Sequence, residues 1–397
     1  MPSVVGGVVQ DGRLVEVAGA GRDGGPHLQY RIGSITKTFT AVLVMQCRDA
    51  GLLDLDDTVA SQLPEAGYGD STLRSLLAHT SGMQSEPIGP WWERSPGTDV
   101  ATLLARNDGS GRVLAAGEAF HYSNLGFALL GEIVARRRGA TWRTLVEERL
   151  LAPLDMNETS YDALPGRHVQ GYSVDHFGGT LAEEPHHDTG AMAPAGQYWS
   201  TLADLGRWLD FLATGHPDVL ARSTLDEMAV PGAPGLDYGL GVRLLDHRVG
   251  HTGSMPGFRA TAFVDRTTRR GVVGLANATT GVSPDELARN LDLGMAATSA
   301  PAPWVPSAGV PAEVAELLGL WFWGNSAHEL RWQNRQLELR DLTDPDDAEA
   351  FDRIDGAWRG TRGYHLGETL HVHRDAHGRP ARLECATFVF TRTPYPR

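Results

Sequence analysis

Residues 1–298 predict a sheet assembled from distant segments beside a helical subdomain, an α+β or α/β arrangement. Three observations carry it: strand patterns at both ends of that stretch, helical patterns filling its middle, and a proline-rich segment closing it. Beyond residue 311 the pattern changes to short alternating segments, which predict a small antiparallel β domain over 312–397.

The elements follow in order. Val4–Gln10 and Leu14–Gly19 flank Asp11-Gly12, a hairpin signal. A helix is expected from Ser34 to about Ala50, with Ile35, Phe39, Val42, Leu43 and Met45 on one broad apolar face. Ser34 can cap it and Gly51 ends it. From about 52 to 230 the patterns are mostly helical, broken by Pro and Gly; examples are Leu73–His79, Leu125–Arg138, Trp142–Leu150 and Leu202–Leu212. Strand character returns at Tyr238–Leu245, Arg248–Gly253, Arg259–Asp265 and Gly271–Asn277, the last two forming a hairpin across Arg266–Arg270. A helix is expected at Pro284–Ala297. The stretch 299–311 has four prolines and no charge and reads as a linker. In the last part, Leu317–Trp323, Gln336–Leu339, Thr369–His373 and Thr387–Thr391 read as strands, with a turn at Asp375–Pro380.

Composition excludes several classes of partner. The 397 residues carry 35 Lys plus Arg against 49 Asp plus Glu, a formal net charge of -14. Clustered cations are what bind polyanions, so neither nucleic acid nor an anionic membrane is expected. The densest basic run, Arg136-Arg137-Arg138, reads as the solvated face of a helix. No apolar run approaches the roughly 20 residues of a membrane span, and the first residues show no secretory pattern, so a cytoplasmic location is expected. Cys47 and Cys385 read as two buried thiols, too few for a disulfide framework or a cysteine metal site. Glu183-Glu184-Pro185-His186-His187-Asp188 reads as a polar loop near the cleft, and His371 and His373 as surface histidines. Tyr238-Gly239-Leu240-Gly241 reads as strand geometry. No metal or organic cofactor is expected.

One compositional fact points to chemistry. Lys37 is the only lysine; the other 34 basic residues are arginines. A guanidinium does not deprotonate in proteins, whereas a desolvated amine can serve as a base. Lys37 lies three residues after Ser34, so both side chains share one helix face. A serine hydroxyl becomes a nucleophile once a base takes its proton, and both burial and the helix N-terminus lower an amine's pKa. Two further elements carry usable groups. In His121-Tyr122-Ser123-Asn124, just ahead of a helix, Tyr122 can move a proton and Asn124 can hydrogen-bond an amide. In Gly250-His251-Thr252-Gly253-Ser254, Gly253 permits close approach of a ligand to the backbone. The Ser254 N–H can there complete an oxyanion hole with that of Ser34.

In this order the three elements resemble the serine β-lactamase and penicillin-recognising superfamily, specifically its class C-like esterase and D-aminopeptidase branch. Flanking text agrees, including Leu76-Leu77-Ala78-His79-Thr80-Ser81-Gly82 and Gly196-Gln197-Tyr198-Trp199-Ser200-Thr201. The resemblance covers about residues 3–298. It implies an α+β fold, an antiparallel sheet flanked by helices with a helical subdomain, of β-lactamase/transpeptidase type. It also implies an acyl-enzyme at Ser34, activation by Lys37, proton shuttling by Tyr122, acyl contact by Asn124, and third-element roles for His251, Gly253 and Ser254. Two departures stand out. His251 occupies the place where many relatives carry the lysine of Lys-Thr-Gly, which weakens a β-lactamase or DD-carboxypeptidase reading. The helix these relatives place before the first strand is missing, so either the start is truncated or other elements cover that sheet face. The segment 312–397 resembles the lipocalin-like domains appended to D-aminopeptidases and to penicillin-binding-protein-type thioesterases.

The expected function is therefore hydrolysis of an ester or a small amide or peptide, D-configured substrates included. The alternatives are an acyltransferase or peptide-cyclising thioesterase, with a carrier protein as partner, and beyond these a β-lactamase or DD-carboxypeptidase, or a non-catalytic ligand-binding module. The expected partner is otherwise a small-molecule or peptide acyl substrate.

Overall fold

The computed structural model describes residues 2–22, 24–278, 283–292, 306, 309–342 and 348–394. The chain divides into two compact units: Met1–Ser173 with Glu183–Pro301, and Val174–Ala182 with Ala302–Arg397. Most of the expected linker 299–311, and residues 293–297 of the expected helix at Pro284–Ala297, lie outside the described residues.

The first unit is built on a six-stranded antiparallel sheet in the order Arg13–Gly21, Ser3–Gln10, Arg270–Ala276, Phe258–Asp265, Arg248–Met255, Arg243–Leu245. The N-terminal hairpin thus joins strands some 260 residues away, with Val4 opposite Ala276. Asp11 and Gly12 both take positive φ (51° and 76°), as the Asp-Gly turn requires. The helical block lies between the two sheet halves in sequence. Its Thr36–Asp49 helix is buried at every position from Thr36 to Cys47, so it is a core helix rather than an amphipathic surface one. The threonines on it are satisfied within the core: Trp208 Nε1 donates to Thr38 Oγ1 at 2.9 Å and Trp142 Nε1 to Thr40 Oγ1 at 3.1 Å.

Three expectations need correcting in detail. Ser34 does not cap the helix; it sits in a separate 3₁₀ turn, Gly33–Ile35, and no side chain caps the Thr36–Asp49 helix. The segment 238–242 is not strand, because Gly241 turns at φ 76° and packs its backbone on Ala41, leaving Arg243–Leu245 as the paired residues. The Trp142 helix ends at Val146 and continues as a π-helical turn over Glu147–Leu151.

In the second unit Gly319–Trp323, Ser326–Gln333, Gln336–Asp341, Ala348–Ile354, Ala357–Arg362, Thr369–Arg374, Pro380–Cys385 and Phe388–Thr391 close into an eight-stranded antiparallel barrel. Trp321, Leu330, Leu337, Leu339, Phe351, Leu383 and Phe390 fill it. This unit includes nine residues from the middle of the chain: Phe177 O accepts from Trp332 N at 2.6 Å, and His176 Nε2 meets Glu329 Oε2 at 2.6 Å. Cys47 and Cys385 are buried free thiols, each in a different unit. Among the described residues no helix is long and apolar enough to cross a membrane.

Candidate active site

Two glycines bring the 3₁₀ turn at Ser34 against the edge of the sheet. A Cβ on Gly33, whose φ is +50°, would lie 2.6 Å from Ser254 N; one on Gly253 would lie 1.9 Å from Ile32 O. Only residues without a side chain allow this approach, and it sets Ser34 and Ser254, whose backbone amides are the two candidate oxyanion donors, on the wall of a common cavity. That cavity, about 390 Å³, is lined by Ser34, Tyr122, Tyr238, Arg243, His251 and Ser254 among others. Gly253→Ala is expected to cut kcat for ester turnover by about a hundredfold or more, the scale of losing an oxyanion donor. Steady-state kinetics on the folded protein check it; unchanged kcat would remove the two amides from the chemistry.

Lys37 is fully buried, and its amine has three acceptors: Ser34 Oγ at 3.0 Å, Asn124 Oδ1 at 2.6 Å and Ala195 O at 2.7 Å. Burial lowers its pKa to about 7, against the opposing pull of Glu86 and Glu93. The neutral amine has two N–H bonds and one lone pair. Two of its three neighbours are carbonyl oxygens that only accept, so they take the N–H bonds and the lone pair is left facing the Ser34 hydroxyl. The site therefore holds a base of near-neutral pKa already aimed at a serine. The Tyr122 ring lies beneath the amine, 4.9 Å from centroid to Nζ. Burial pushes the Tyr122 phenol up, with a hydrogen bond to Ser34 opposing. At neutral pH the phenol keeps its proton, so of the two groups the amine is the one able to accept a proton and the phenol the one able to donate.

His251 is buried and neutral. Its Nδ1 lies 2.5 Å from Thr252 O, which can only accept, so Nδ1 carries the proton and Nε2 accepts from Tyr238 Oη at 3.0 Å. Burial is the main cause that lowers its pKa to about 3. The third element therefore presents no cation of its own. Nearby, Arg243 donates to Thr252 Oγ1 at 2.8 Å and to both oxygens of Asp285.

The structure brings Ser34, Lys37, Tyr122, Asn124, His251, Gly253 and Ser254 together around this cavity or directly behind it. Asn124 is turned inward in it: Oδ1 accepts from Lys37 and Nδ2 donates to Glu86 Oε1 at 2.6 Å. The polar loop 183–188 disperses its groups, with Glu184 paired to Arg94 and Asp188 accepting from Tyr161 Oη. Among the described residues no group of three or more His, Cys, Asp or Glu could hold a metal ion.

Four contributors escaped the sequence reading. Tyr238 holds His251. Glu86 holds Asn124. Ala195 supplies a backbone carbonyl, which any residue type could. His79, at φ +56°, stacks its ring 4.2 Å from that of Tyr122 and accepts from Ser123 N at 3.0 Å. Nothing in the Leu76–Gly82 stretch marks His79 for this role, and the strand pattern around Tyr238 does not mark its hydroxyl.

A half-buried serine within hydrogen-bond reach of a fully buried lysine, with a tyrosine ring against the amine and an antiparallel sheet edge beside it, is an arrangement suited to serine-hydrolase chemistry. The chain belongs to the Beta-lactamase family, whose profile matches residues 1–296, and a second profile, Domain of unknown function (DUF7586), matches 310–392. Members of the family are serine hydrolases, among them amidases and penicillin-binding proteins. Among solved structures, the chain is similar to the octameric penicillin-binding protein homologue from Pyrococcus abyssi (21% identity, TM-score 0.66, 98% of this chain and 96% of that one). It is also similar to a D-stereospecific amidohydrolase from Streptomyces sp. (28%, TM-score 0.63, 74% and 94%). A third is SurE (25%, TM-score 0.60, 98% and 95%). Among curated proteins, Beta-lactamase-like protein 2 of Dictyostelium discoideum is 31% identical over 220 residues, 51% of this chain and 39% of that protein. Putative beta-lactamase-like 1 of Homo sapiens is 27% identical over 292 residues, 67% of this chain and 57% of that protein. The chain thus spans about two-fifths to three-fifths of these curated relatives.

Proposed function

We propose that this protein is a serine hydrolase that forms an acyl-enzyme at Ser34 and cleaves an ester or small amide of a D-configured acyl donor. The observation that carries the reading is the Lys37 amine, dry and held so that its lone pair faces the Ser34 hydroxyl. In the first step Lys37 takes the Ser34 proton as Oγ adds to the substrate carbonyl, and the developing oxyanion meets the N–H groups of Ser34 and Ser254. Tyr122 protonates the leaving alkoxide or amine, which departs as the carbonyl re-forms. Water then adds to the acyl carbon with its proton passing to the same Lys37–Tyr122 pair, and Ser34 Oγ leaves with a proton restored to it.

Two further observations support the substrate class. His251 is neutral, and of the two arginines that line the same cavity, Arg243 and Arg259, Arg243 is paired with Asp285, which favours a leaving group such as a primary amide or an alcohol over a terminal D-Ala. The similar amidohydrolase from Streptomyces sp. is named D-stereospecific, and the similar enzyme from Ochrobactrum anthropi is named a D-amino acid amidase, solved with D-phenylalanine as well as with L-phenylalanine and its amide. Intact-mass spectrometry tests the reading with D- and L-aminoacyl esters, a peptidyl thioester and a penicillin. A transient acyl adduct with a D-aminoacyl ester, followed by free acid, is expected. Absence of any adduct across the panel overturns it, and an amine-captured product in place of the acid converts it to acyl transfer.

A further inference from the structure

From the buried Lys37 a chain of hydrogen bonds runs outward to Glu86, an exposed residue, and its direction is fixed at its far end. Trp92, buried at 7% exposure, has an indole N–H that can only donate, and it donates to Glu86 Oε2 at 2.7 Å. The other carboxylate oxygen, Oε1, accepts from Asn124 Nδ2 at 2.6 Å, and Asn124 Oδ1 accepts from Lys37 Nζ at 2.6 Å. A carboxamide is nearly symmetric in shape, so its partners alone decide which end is oxygen. Were the Asn124 amide reversed, its oxygen would face the carboxylate and its N–H bonds would face the amine. Lys37 would then lose one of its two carbonyl acceptors, and nothing would hold its lone pair on Ser34.

We propose that Glu86 is a positioning residue of the site: by accepting from Asn124 Nδ2 it fixes the amide with its oxygen toward Lys37, and so aims the amine at Ser34. Glu86 itself lines neither the catalytic cavity nor Ser34. The groups around the amine are contributed by several segments. Ser34 and Tyr122 lie on the cavity side, Asn124 and the Phe127 ring come from the Asn124–Arg138 helix, and Ala195 O closes the back. The charges acting on it are the carboxylates Glu86 and Glu93, and the neutral rings of His79 and His251 feel it in turn. Glu86 is thus a negative neighbour that favours the protonated amine, as well as the anchor of its orientation.

The inference rests on Lys37 acting as the base, and the test separates the two. Glu86→Gln removes the charge and supplies a group that can donate as well as accept, so the Asn124 amide is free to turn. Measured as kcat/KM against pH with one ester bearing an α-ammonium and one without, Glu86→Gln is expected to lower kcat about tenfold for both at little change in KM. Its acid limb is expected to move to lower pH, since a favourable negative charge has left the ammonium. Glu86→Asp, which keeps the carboxylate, is expected to recover part of kcat and return the limb toward its original position. Trp92→Phe frees one end of the same chain without touching the charge; it lowers kcat less and leaves the limb in place. Unchanged kcat and pH profile in Glu86→Gln, with Lys37 variants inactive, overturns the role of Glu86 and leaves the base intact. An increase in KM confined to the ammonium ester also overturns it, by assigning Glu86 to substrate contact. Full activity in Lys37→Arg instead fails the reading of the base itself.

Discussion

Alanine at Ser34 is expected to abolish the acyl adduct and to lower kcat toward an activated ester by about six orders of magnitude, as removal of a serine nucleophile does elsewhere. The case for this hydroxyl over its neighbours is geometric. Ser123 Oγ donates to Gln84 O at 2.7 Å and caps the Asn124–Arg138 helix by accepting from Gly126 N at 3.0 Å, so it is spent on structure. Thr252 Oγ1 accepts from Arg243, whose positive charge cannot take a proton. Ser34 alone lies within hydrogen-bond reach of a deprotonatable amine. Intact mass and steady-state rates decide it: a Ser34→Ala protein that still gains the acyl mass places the nucleophile elsewhere.

The second large effect is expected from Lys37→Arg. The substitution keeps the charge, yet a guanidinium stays protonated at any pH the fold survives, so acylation is expected to fall by well over tenfold, more than about 1.4 kcal/mol of transition-state stabilisation. A variant that retained more than a tenth of kcat/KM would exclude Lys37 as the base. The wild-type protein supplies a matching signature. With the amine's pKa brought to about 7 by burial, kcat/KM should rise with pH through that value, because only the neutral form accepts the Ser34 proton. Lys37→Met controls for folding. It removes the buried titratable group but leaves Asn124 Oδ1 and Ala195 O without their donor, so it is expected to be inactive while melting within a few degrees of the parent. Calorimetry beside the kinetics then separates a lost base from a lost fold.

What could be read from the sequence was what depends on local spacing. Ser34 and Lys37 meet because three residues make almost one helical turn, and Asp11-Gly12 turns because both residues tolerate positive φ. Tyr122, Asn124, His251, Gly253 and Ser254 were found as parts of short motifs. Partners that arrive from elsewhere in the chain were not visible: Glu86 reaches Asn124 across 38 residues and Tyr238 reaches His251 across 13, with nothing local to mark either. The barrel shows the same divide. Gln336–Leu339 alternates plainly and Leu317–Trp323 is a nearly unbroken apolar and aromatic run, but Ser326–Gln333 interleaves the charged Glu329 and Arg331 with its inward Leu330 and Trp332. Those charges are held by cross-strand partners, as in Arg331 with Glu338 at 2.9 Å. A strand whose polar face is paid for by its neighbours has a weak signature until the neighbours are known. Ser34 as a helix cap failed for a related reason: the helix N-terminus is bent into a 3₁₀ turn by the close approach to Ser254, a contact made 220 residues later.

The complete enclosure of the single ε-amine has a practical side. Chain terminus aside, no primary amine is presented to solvent, so succinimidyl esters, aldehydes and isothiocyanates find no side chain to modify. The same would hold for the activated acyl compounds of the proposed reaction, to which this sequence offers no exposed ε-amine for self-acylation.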